Sequence, residues 1–376
     1  MEGKINYPYC YLCNEIISSD KEHSEHIILN ALGGRLKSKD ILCLDCEKKY
    51  IDAHDRKLAN QLQQFSTLFS VQRDRGENQP IKNLKGEDGK EYLLDKDLKP
   101  KIQKYQQPSS IVDSEGNIKI TLTGRNYDDI KNQLKQLKSK YPELDVGVWM
   151  NKVKDQGISS HPSPVLKTGF SLNHTDPNIL KAVVKVICEY IVHSTKDYDL
   201  VKELVPYLKG EKENIQERCW FYIPPTAEQV TNQDICHIIQ YEQKADGTVY
   251  GWVQFFSAFS FIILVTKNSN CAIEKNCYTY DLIQSSVKED INFSIPLKEE
   301  LTEEESLNRF KARLSWLVKK ADTYQFYKNS LETLFDSIFT KKPLSDSLKL
   351  QYKTFDQFRS AMIRLAIADF WNQKVE

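Results

Sequence analysis

Four cysteines near the start of the chain stand in two close pairs. Cys10 and Cys13 are separated by two residues, and so are Cys43 and Cys46. A short pair of this kind can fold into a knuckle whose two sulfurs bind one tetrahedral zinc ion, and two knuckles complete a shell of four thiolates. Such a shell has no open position, so the spacing predicts a structural zinc site. The alternative is a set of ordinary buried thiols.

The segment between and beside the two cysteine pairs contains residues that can do chemistry. Glu25 and His26 are adjacent, Asn30 follows shortly afterwards, and Glu47 comes directly after the last cysteine of the second pair, where a helical pattern begins. Successive side chains of an extended strand point to opposite faces. Glu25 and His26 can therefore act at one centre only if the strand bulges or ends there.

The order of these residues resembles a known family. The pattern "C-x2-C … EHII-x-NALGG … LC-x2-C", followed by a helix, is similar to the HNH endonucleases of the ββα-metal class, in particular the branch with two zinc knuckles around the active hairpin. The similarity covers about the first 65 residues. It implies a small ββα-metal module that hydrolyses phosphodiester bonds with a divalent metal ion.

The resemblance assigns roles to four residues. Glu25 would bind the catalytic metal, and His26 would be the general base, a role that suits a side chain with an unperturbed pKa of about 6.5. Glu47 stands where the family usually has Asn or His as a second metal ligand, and a carboxylate there favours Mg²⁺ or Mn²⁺. Asn30 matches a family asparagine and would hold the loop or contact the phosphate.

Other polar residues of the module have two interpretations each. Asp55 shares a helix face with positions 47 and 51, so it would either support the metal centre as a ligand or belong to a solvated face. His23 is either a loop residue or a contact of substrate or metal. Seven basic residues would supply phosphate contacts or only keep the surface soluble. They are Arg35, Lys37, Lys39, Lys48, Lys49, Arg56 and Lys57.

The composition describes a folded protein without an overall attraction to polyanions. Lys and Arg total 52 and Asp and Glu total 52, so nucleic-acid binding must be local. The nine cysteines, in a chain without a secretory signal, predict a cytoplasmic location and thiols or metal ligands rather than disulfides. The apolar stretch 250–266 is shorter than the ~20 residues that span a bilayer and is rich in aromatic and β-branched residues, which predicts buried strands and no membrane association.

The patterns along the chain predict an α+β fold with two domains. Turn residues and charges that follow Arg75 mark a linker. Residues 1–75 would form the HNH module with its structural zinc, and residues 76–376 a larger α+β domain. No catalytic motif is visible in the larger domain, so its expected role is substrate selection, sensing of an activating ligand or homo-oligomerisation.

The larger domain is expected to combine an antiparallel sheet with helices. Ala245, Asp246 and Gly247 predict a hairpin turn, and Asp176 predicts the N-cap of a helix that is apolar nearly all round. A long helix is predicted after residue 302, and the last helix would carry Phe355 and Phe358.

Three functional hypotheses follow from these patterns. The first is a metal-dependent DNA endonuclease with structural Zn²⁺ and catalytic Mg²⁺ or Mn²⁺, for which the resemblance suggests restriction or phage defence. The second is a zinc-stabilised nucleic-acid or protein-binding module without catalysis, which the unusual Glu47 keeps open. The third is a nuclease for structured RNA. DNA is favoured over RNA as the partner.

Overall fold

The protein is described from a computed structural model. The described residues are 8–20, 22–96, 98–103, 109–112, 118–122, 127–156, 166–167, 170, 172–223, 234–269, 272–288, 294–297, 303–338, 362–363 and 366–367. The chain divides into two compact units, one of residues 1–78 with 172–376 and one of residues 79–171. The functional boundary predicted after residue 75 stays a prediction.

Runs of strands and runs of helices follow one another along the described chain. The strands are β1 (Glu25–His26), β2 (Lys37–Ser38), β3 (Ile81–Gly86), β4 (Glu91–Leu94), β5 (Pro100–Ile102), β6 (Ser109–Val112), β7 (Ile118–Thr121), β8 (Leu166–Lys167), β9 (Cys219–Phe221), β10 (Cys236–Gln243), β11 (Val249–Phe255), β12 (Phe259–Thr266), β13 (Asn276–Asp281) and β14 (Ser286–Lys288). The helices are α1 (Leu44–Cys46), α2 (Asp52–Leu68), α3 (Tyr127–Lys138), α4 (Val146–Gln156), α5 (Pro177–Thr195), α6 (Val205–Leu208) and α7 (Glu303–Ile338). A π-helical turn (Glu47–Ile51) joins α1 to α2, and 3-10 turns lie at Asn30–Leu32, Asp199–Val201 and Ile215–Glu217.

The larger unit is organised around a six-stranded antiparallel sheet in the order β14-β13-β10-β11-β12-β9. Every residue of β11 and β12 is buried, which explains their continuous apolar sequence. The stretch 250–266 is therefore two buried strands, as predicted, and none of the described helices combines the length and apolarity needed to cross a membrane. The predicted turn joins β10 to β11, with Gly247 at φ 82° donating its N–H to the Lys244 carbonyl.

Helix α5 connects this sheet to the N-terminal part of the chain. The Asp176 side chain caps it by accepting a hydrogen bond from the Asn178 N–H at 2.9 Å, as predicted. One side of α5 approaches β11 so closely that a Cβ on Gly251 would lie 2.3 Å from Ile187 Cγ1. The helix also contacts α2. Burial on both sides explains why its sequence is apolar nearly all round.

The smaller unit has its own sheet and core. Its sheet has the order β5-β4-β3-β8, β6 pairs with β7, and α3 contacts α4. The apolar stripe of α3 is buried through Ile130, Leu134 and Leu137. Mixed helices and antiparallel sheets, with a long C-terminal helix α7, confirm the predicted α+β class. Phe355 and Phe358, predicted on the last helix, lie outside the described residues.

Candidate active site

The four paired cysteines converge, and their geometry fits a zinc ion. The sulfurs of Cys10, Cys13, Cys43 and Cys46 all lie within 4.8 Å of one another, and all four cysteines are free thiols. Cys13 Sγ and Cys43 Sγ are 4.0 Å apart, close to the roughly 3.8 Å that separates sulfurs bound 2.3 Å from a tetrahedral zinc. The cysteines thus form the predicted zinc-knuckle site.

A two-stranded hairpin between the knuckles carries the candidate catalytic pair. In the β1–β2 register, Glu25 lies opposite Ser38 and His26 opposite Lys37. The side chains of Glu25 and His26 point to opposite faces of the hairpin, as those of adjacent strand residues do. Glu25 is buried against α5, whereas His26 contacts a different group of side chains on the other face. The side chains of Glu25 and His26 share no partner among the contacts described below.

Glu25 belongs to a cluster that could hold a metal ion. His23 Nε2 lies 3.2 Å from Glu25 Oε2 and 3.0 Å from Glu47 Oε2, and one ligand atom from each of the three residues falls within 4.8 Å of the others. Hydrogen bonds to Glu25 and Glu47 raise the pKa of His23 to about 9. The two carboxylates suit Mg²⁺ or Mn²⁺, and the imidazole would join them as a ligand once a bound cation had displaced its proton. Glu25 and Glu47, predicted as metal ligands, therefore lie together, and His23 joins them.

The second oxygen of Glu25 binds a buried lysine of α5. Lys185 Nζ contacts Glu25 Oε1, and lies 3.2 Å from Asp55 Oδ2, 3.1 Å from Glu189 Oε2 and 3.2 Å from the His26 carbonyl. The Lys185 side chain is wholly buried. Burial lowers the pKa of Lys185, but the surrounding carboxylates outweigh it and raise that pKa well above its usual value. Lys185 thus fixes the orientation of Glu25 toward His23 and Glu47.

Asp55 lies beside this lysine rather than in the three-residue metal cluster. The helix between Glu47 and Asp55 is not a regular α-helix, because the Asp52 N–H donates to the Glu47 carbonyl five residues earlier. The π-helical turn changes the angular spacing that the sequence argument assumed. Burial raises the pKa of Asp55 to about 6. Its contact with Glu25 is indirect, through Lys185, and a role as metal ligand stays a prediction.

His26 is surrounded by charged groups on the open side of the hairpin. Its Nε2 lies 2.9 Å from Asp74 Oδ2. Arg35 Nη1 and Lys37 Nζ contact the same carboxylate. Burial lowers the pKa of His26 and outweighs the opposing hydrogen bond to Asp74. A histidine that is mostly neutral at cellular pH is suited to accept a proton.

Asn30 holds the loop that carries Asp74. Its Oδ1 accepts a hydrogen bond from the Asp74 N–H at 2.8 Å, and its Nδ2 donates to the Arg75 carbonyl at 3.0 Å. Of the two roles predicted for Asn30, loop support is the one with contacts in the structure, and its proposed part in catalysis stays a prediction.

The double glycine allows this loop and the hairpin to pack without side chains. A Cβ on Gly33, whose φ is 90°, would lie 2.2 Å from Val71 Cγ1, and a Cβ on Gly34 would lie 1.8 Å from the Ile28 carbonyl oxygen. No non-glycine residue fits either position without a shift of its surroundings. The glycines are therefore required by close backbone approach.

A buried histidine ties the turn between β1 and β2 to the central sheet. His237 Nε2 lies 2.8 Å from the Leu32 carbonyl, and the Phe256 N–H donates to His237 Nδ1 at 3.3 Å. A carbonyl only accepts and an N–H only donates, so these partners select the neutral tautomer with hydrogen on Nε2.

Other basic residues of the module have partners outside the site. Lys39 Nζ lies 2.9 Å from Glu22 Oε1, and Lys57 Nζ lies 3.4 Å from Asp176 Oδ2. Among the predicted phosphate contacts, Arg35 and Lys37 are the two that the structure brings next to His26.

Sequence reasoning missed Asp74, Lys185 and Glu189, and left the role of His23 open. Lys185 and Glu189 did leave a signal, because they are charges spaced i, i+4 inside an otherwise apolar helix. No sequence pattern indicated a role for Asp74, because its neighbours are turn residues of the kind that surface loops contain.

Comparison with known proteins identifies the N-terminal part of the chain. No curated protein and no solved structure matches this chain. The model of one family does, over the segment that contains both knuckles, the hairpin and most of α2. Residues 10–63 match the HNH endonuclease family, so the chain carries an HNH endonuclease domain near its N-terminus.

Proposed function

We propose that the protein is a metal-dependent endonuclease that hydrolyses phosphodiester bonds in DNA. The observation that carries the proposal is the placement of Glu25 and His26 on one zinc-framed hairpin, Glu25 within a three-ligand cluster and His26 next to Arg35 and Lys37. One face of the hairpin supplies metal ligands, and the other a base and positive charge. Because β1 ends at His26, which is the condition for a shared centre, both sets of groups would act on one phosphate at that end of the strand.

The residues of the chain have separate roles in the proposed reaction. His26, kept mostly neutral by burial, takes a proton from the attacking water. Glu25, Glu47 and His23 hold a divalent cation, which when bound stabilises negative charge on the phosphate and on the departing oxygen. Lys185 keeps Glu25 directed toward that cluster. The zinc-knuckle site maintains the hairpin and takes no part in the chemistry.

The finer parts of the proposal rest on the family and on charge. DNA is proposed over RNA, Mg²⁺ or Mn²⁺ as the catalytic ion, and the cytoplasm as the location. Restriction of foreign DNA is the proposed setting. Residues 76–376 would select the substrate, sense an activating ligand or form a homo-oligomer.

The test compares wild-type protein with the His26→Ala variant. Each is incubated with supercoiled plasmid, linear duplex and structured RNA, in EDTA, Mg²⁺ or Mn²⁺. Cutting that requires metal and is lost in His26→Ala supports the proposal and identifies the polymer. A His193→Ala variant, which changes a partly buried histidine at the far end of α5, should cut like wild type.

Two results of this experiment would contradict the proposal. If zinc-loaded wild-type protein binds DNA but cuts none of the substrates with either metal, the domain acts as a binding module. If His26→Ala cuts as fast as wild type, another residue is the base.

A further inference from the structure

We propose that His26, Arg35 and Lys37 form a binding site for a single phosphate group of a nucleic acid, and that the Asp74 carboxylate fills this site until substrate displaces it. The inference rests on the proposed nuclease function and adds to it a built-in competitor for the substrate. Asp74 would lower the affinity for nucleic acid without taking part in the chemistry.

The donors around Asp74 are those that bind a phosphate. Lys37 and His26 both contact Oδ2, with His26 Nε2 at 2.9 Å, while Arg35 Nη1 contacts Oδ1. Guanidinium, ammonium and imidazole groups that converge on two oxygens of one anion can bind a phosphate in the same way. A phosphodiester carries one negative charge, as the carboxylate does, so the exchange leaves the charge of the site unchanged.

The position of the three donors follows from the hairpin. His26 and Lys37 are register partners across β1 and β2, and Arg35 lies two residues before Lys37. Their shared target is next to the proposed base. With Asp74 in place, its carboxylate occupies the donors of both cations nearest to His26, so a phosphate could reach these donors only by displacing the carboxylate.

The Asp74 side chain can leave the site without opening a core. The side chains of the four residues are partly exposed, from 11% for His26 to 39% for Lys37, with 21% for Asp74. The loop is held at its backbone by Asn30, which contacts the Asp74 N–H and the Arg75 carbonyl. Arg35 Nη2 adds a bond to the Gln72 carbonyl at 3.2 Å. These bonds position the carboxylate, and side-chain rotation of Asp74 alone would vacate the site.

The competing explanation is that Asp74 orients His26 as a base. An orienting carboxylate needs a contact with the imidazole alone, whereas Asp74 also binds Arg35 and Lys37. The two explanations predict opposite kinetics. Removal of a competitor lowers KM and leaves kcat unchanged or higher, and removal of an orienting group lowers kcat.

The first experiment measures binding without cleavage. The full-length, zinc-loaded wild type, Asp74→Asn and Asp74→Ala are titrated with a fluorescent duplex oligonucleotide in buffer without Mg²⁺ or Mn²⁺, and separately with inorganic phosphate followed by ³¹P line broadening. We expect both variants to bind the duplex roughly tenfold more tightly, the factor for a site that is about 90% covered in the wild type. The slope of log affinity against log salt should steepen by about 1, because the freed cations take up one phosphate.

Two further variants make the binding result specific. Asp199→Asn removes an exposed carboxylate that also pairs with a lysine, 3.4 Å from Lys202 Nζ, and should change neither affinity. Arg35→Gln combined with Asp74→Ala should lose most of the gain, because the anion site then lacks one of its cations. Asn at position 74 keeps the size of the side chain, and equal melting temperatures would show that the fold is retained.

The second experiment measures kcat and KM on the polymer that the wild type cuts. A lower KM in the Asp74 variants, with kcat at or above the wild-type value, supports the inference. A lower kcat with unchanged KM overturns it. In the binding experiment, unchanged affinity for phosphate and duplex in both Asp74 variants also overturns it. The two proposals fail separately. If the Asp74 variants bind phosphate more tightly but neither they nor the wild type cut, the anion site is supported and the nuclease function is contradicted. If the wild type cuts and Asp74→Asn cuts more slowly, the nuclease function is supported and the role of Asp74 as a competitor is contradicted.

Discussion

Lys185 and Glu189 lie one turn apart on α5 with Nζ 3.1 Å from Oε2, and neither side chain is exposed to solvent. The same ammonium contacts Glu25 of β1 and Asp55 of α2. Isolated charges are rarely buried, because the loss of hydration costs several kcal/mol for each ion. The hairpin of the candidate site is therefore linked to the buried helix α5 by one shared cation.

Replacement of Lys185 should be strongly destabilising. Lys185→Met leaves Glu25, Asp55 and Glu189 without their common cation, and removal of one partner from a buried ion pair typically costs about 3–5 kcal/mol. The free energy of unfolding, measured with urea, should fall by that amount. Lys181→Met changes a partly buried lysine one turn earlier on the same helix and should cost less than about 0.5 kcal/mol. Equal losses in the two variants would show that the shared cation contributes nothing particular.

Loss of one knuckle cysteine should release zinc and unfold the hairpin. In Cys43→Ser the four-thiolate shell is incomplete, and structural zinc contributes directly to folding free energy. Metal analysis by mass spectrometry should fall from one zinc per chain to nearly none, with a lower melting temperature. Cys277→Ser, at a cysteine outside the knuckles, should keep its zinc. Full zinc content in Cys43→Ser would contradict the assignment of the site.

Gly33 should tolerate no side chain. Gly33→Ala places a Cβ at φ 90° against Val71 Cγ1, so left-handed strain of about 1–2 kcal/mol adds to overpacking of about 1–3 kcal/mol. Gly76→Ala has a similar φ of 76° but open space around the Cβ, so only the strain should remain. Thermal unfolding of both variants separates the two contributions. Val71→Ala should recover part of the loss in Gly33→Ala, and the packing argument is wrong if it does not.

Acid should destabilise the protein through His237. Burial lowers the pKa of His237 from 6.5 to about 4. Between these two values the unfolded chain binds a proton that the folded protein does not, so stability is complete above pH 6.5 and falls as the pH drops toward 4, by about 3 kcal/mol in total. Urea unfolding across this range should show the decline, and His237→Gln should remove most of it. A decline of equal size in the variant would assign it to other groups.

The local features of the site could be predicted from the sequence. The cysteine spacing and the adjacency of Glu25 and His26 depend on neighbouring residues, and each one predicted a feature of the hairpin. The buried strands and the N-cap at Asp176 also follow from short-range patterns. These predictions need no knowledge of how the elements pack.

The contacts that the site residues make could not be predicted from the sequence, because the partner residues are far away along the chain. Asp74 is 48 residues from His26, and Lys185 is 160 residues from Glu25. No spacing rule connects such positions. The position of Asp55 could not be predicted for a local reason, because one π-helical turn changed the helix face on which it lies.

The position of Lys185 in the chain has a consequence for synthesis. A ribosome completes both zinc knuckles and the hairpin long before it adds residue 185, so the nascent chain holds Glu25 and Asp55 without their cation. Zinc can fold the hairpin at that stage, but the final orientation of Glu25 waits for α5. The order of translation thereby separates the folding of the domain from the completion of its metal-binding face.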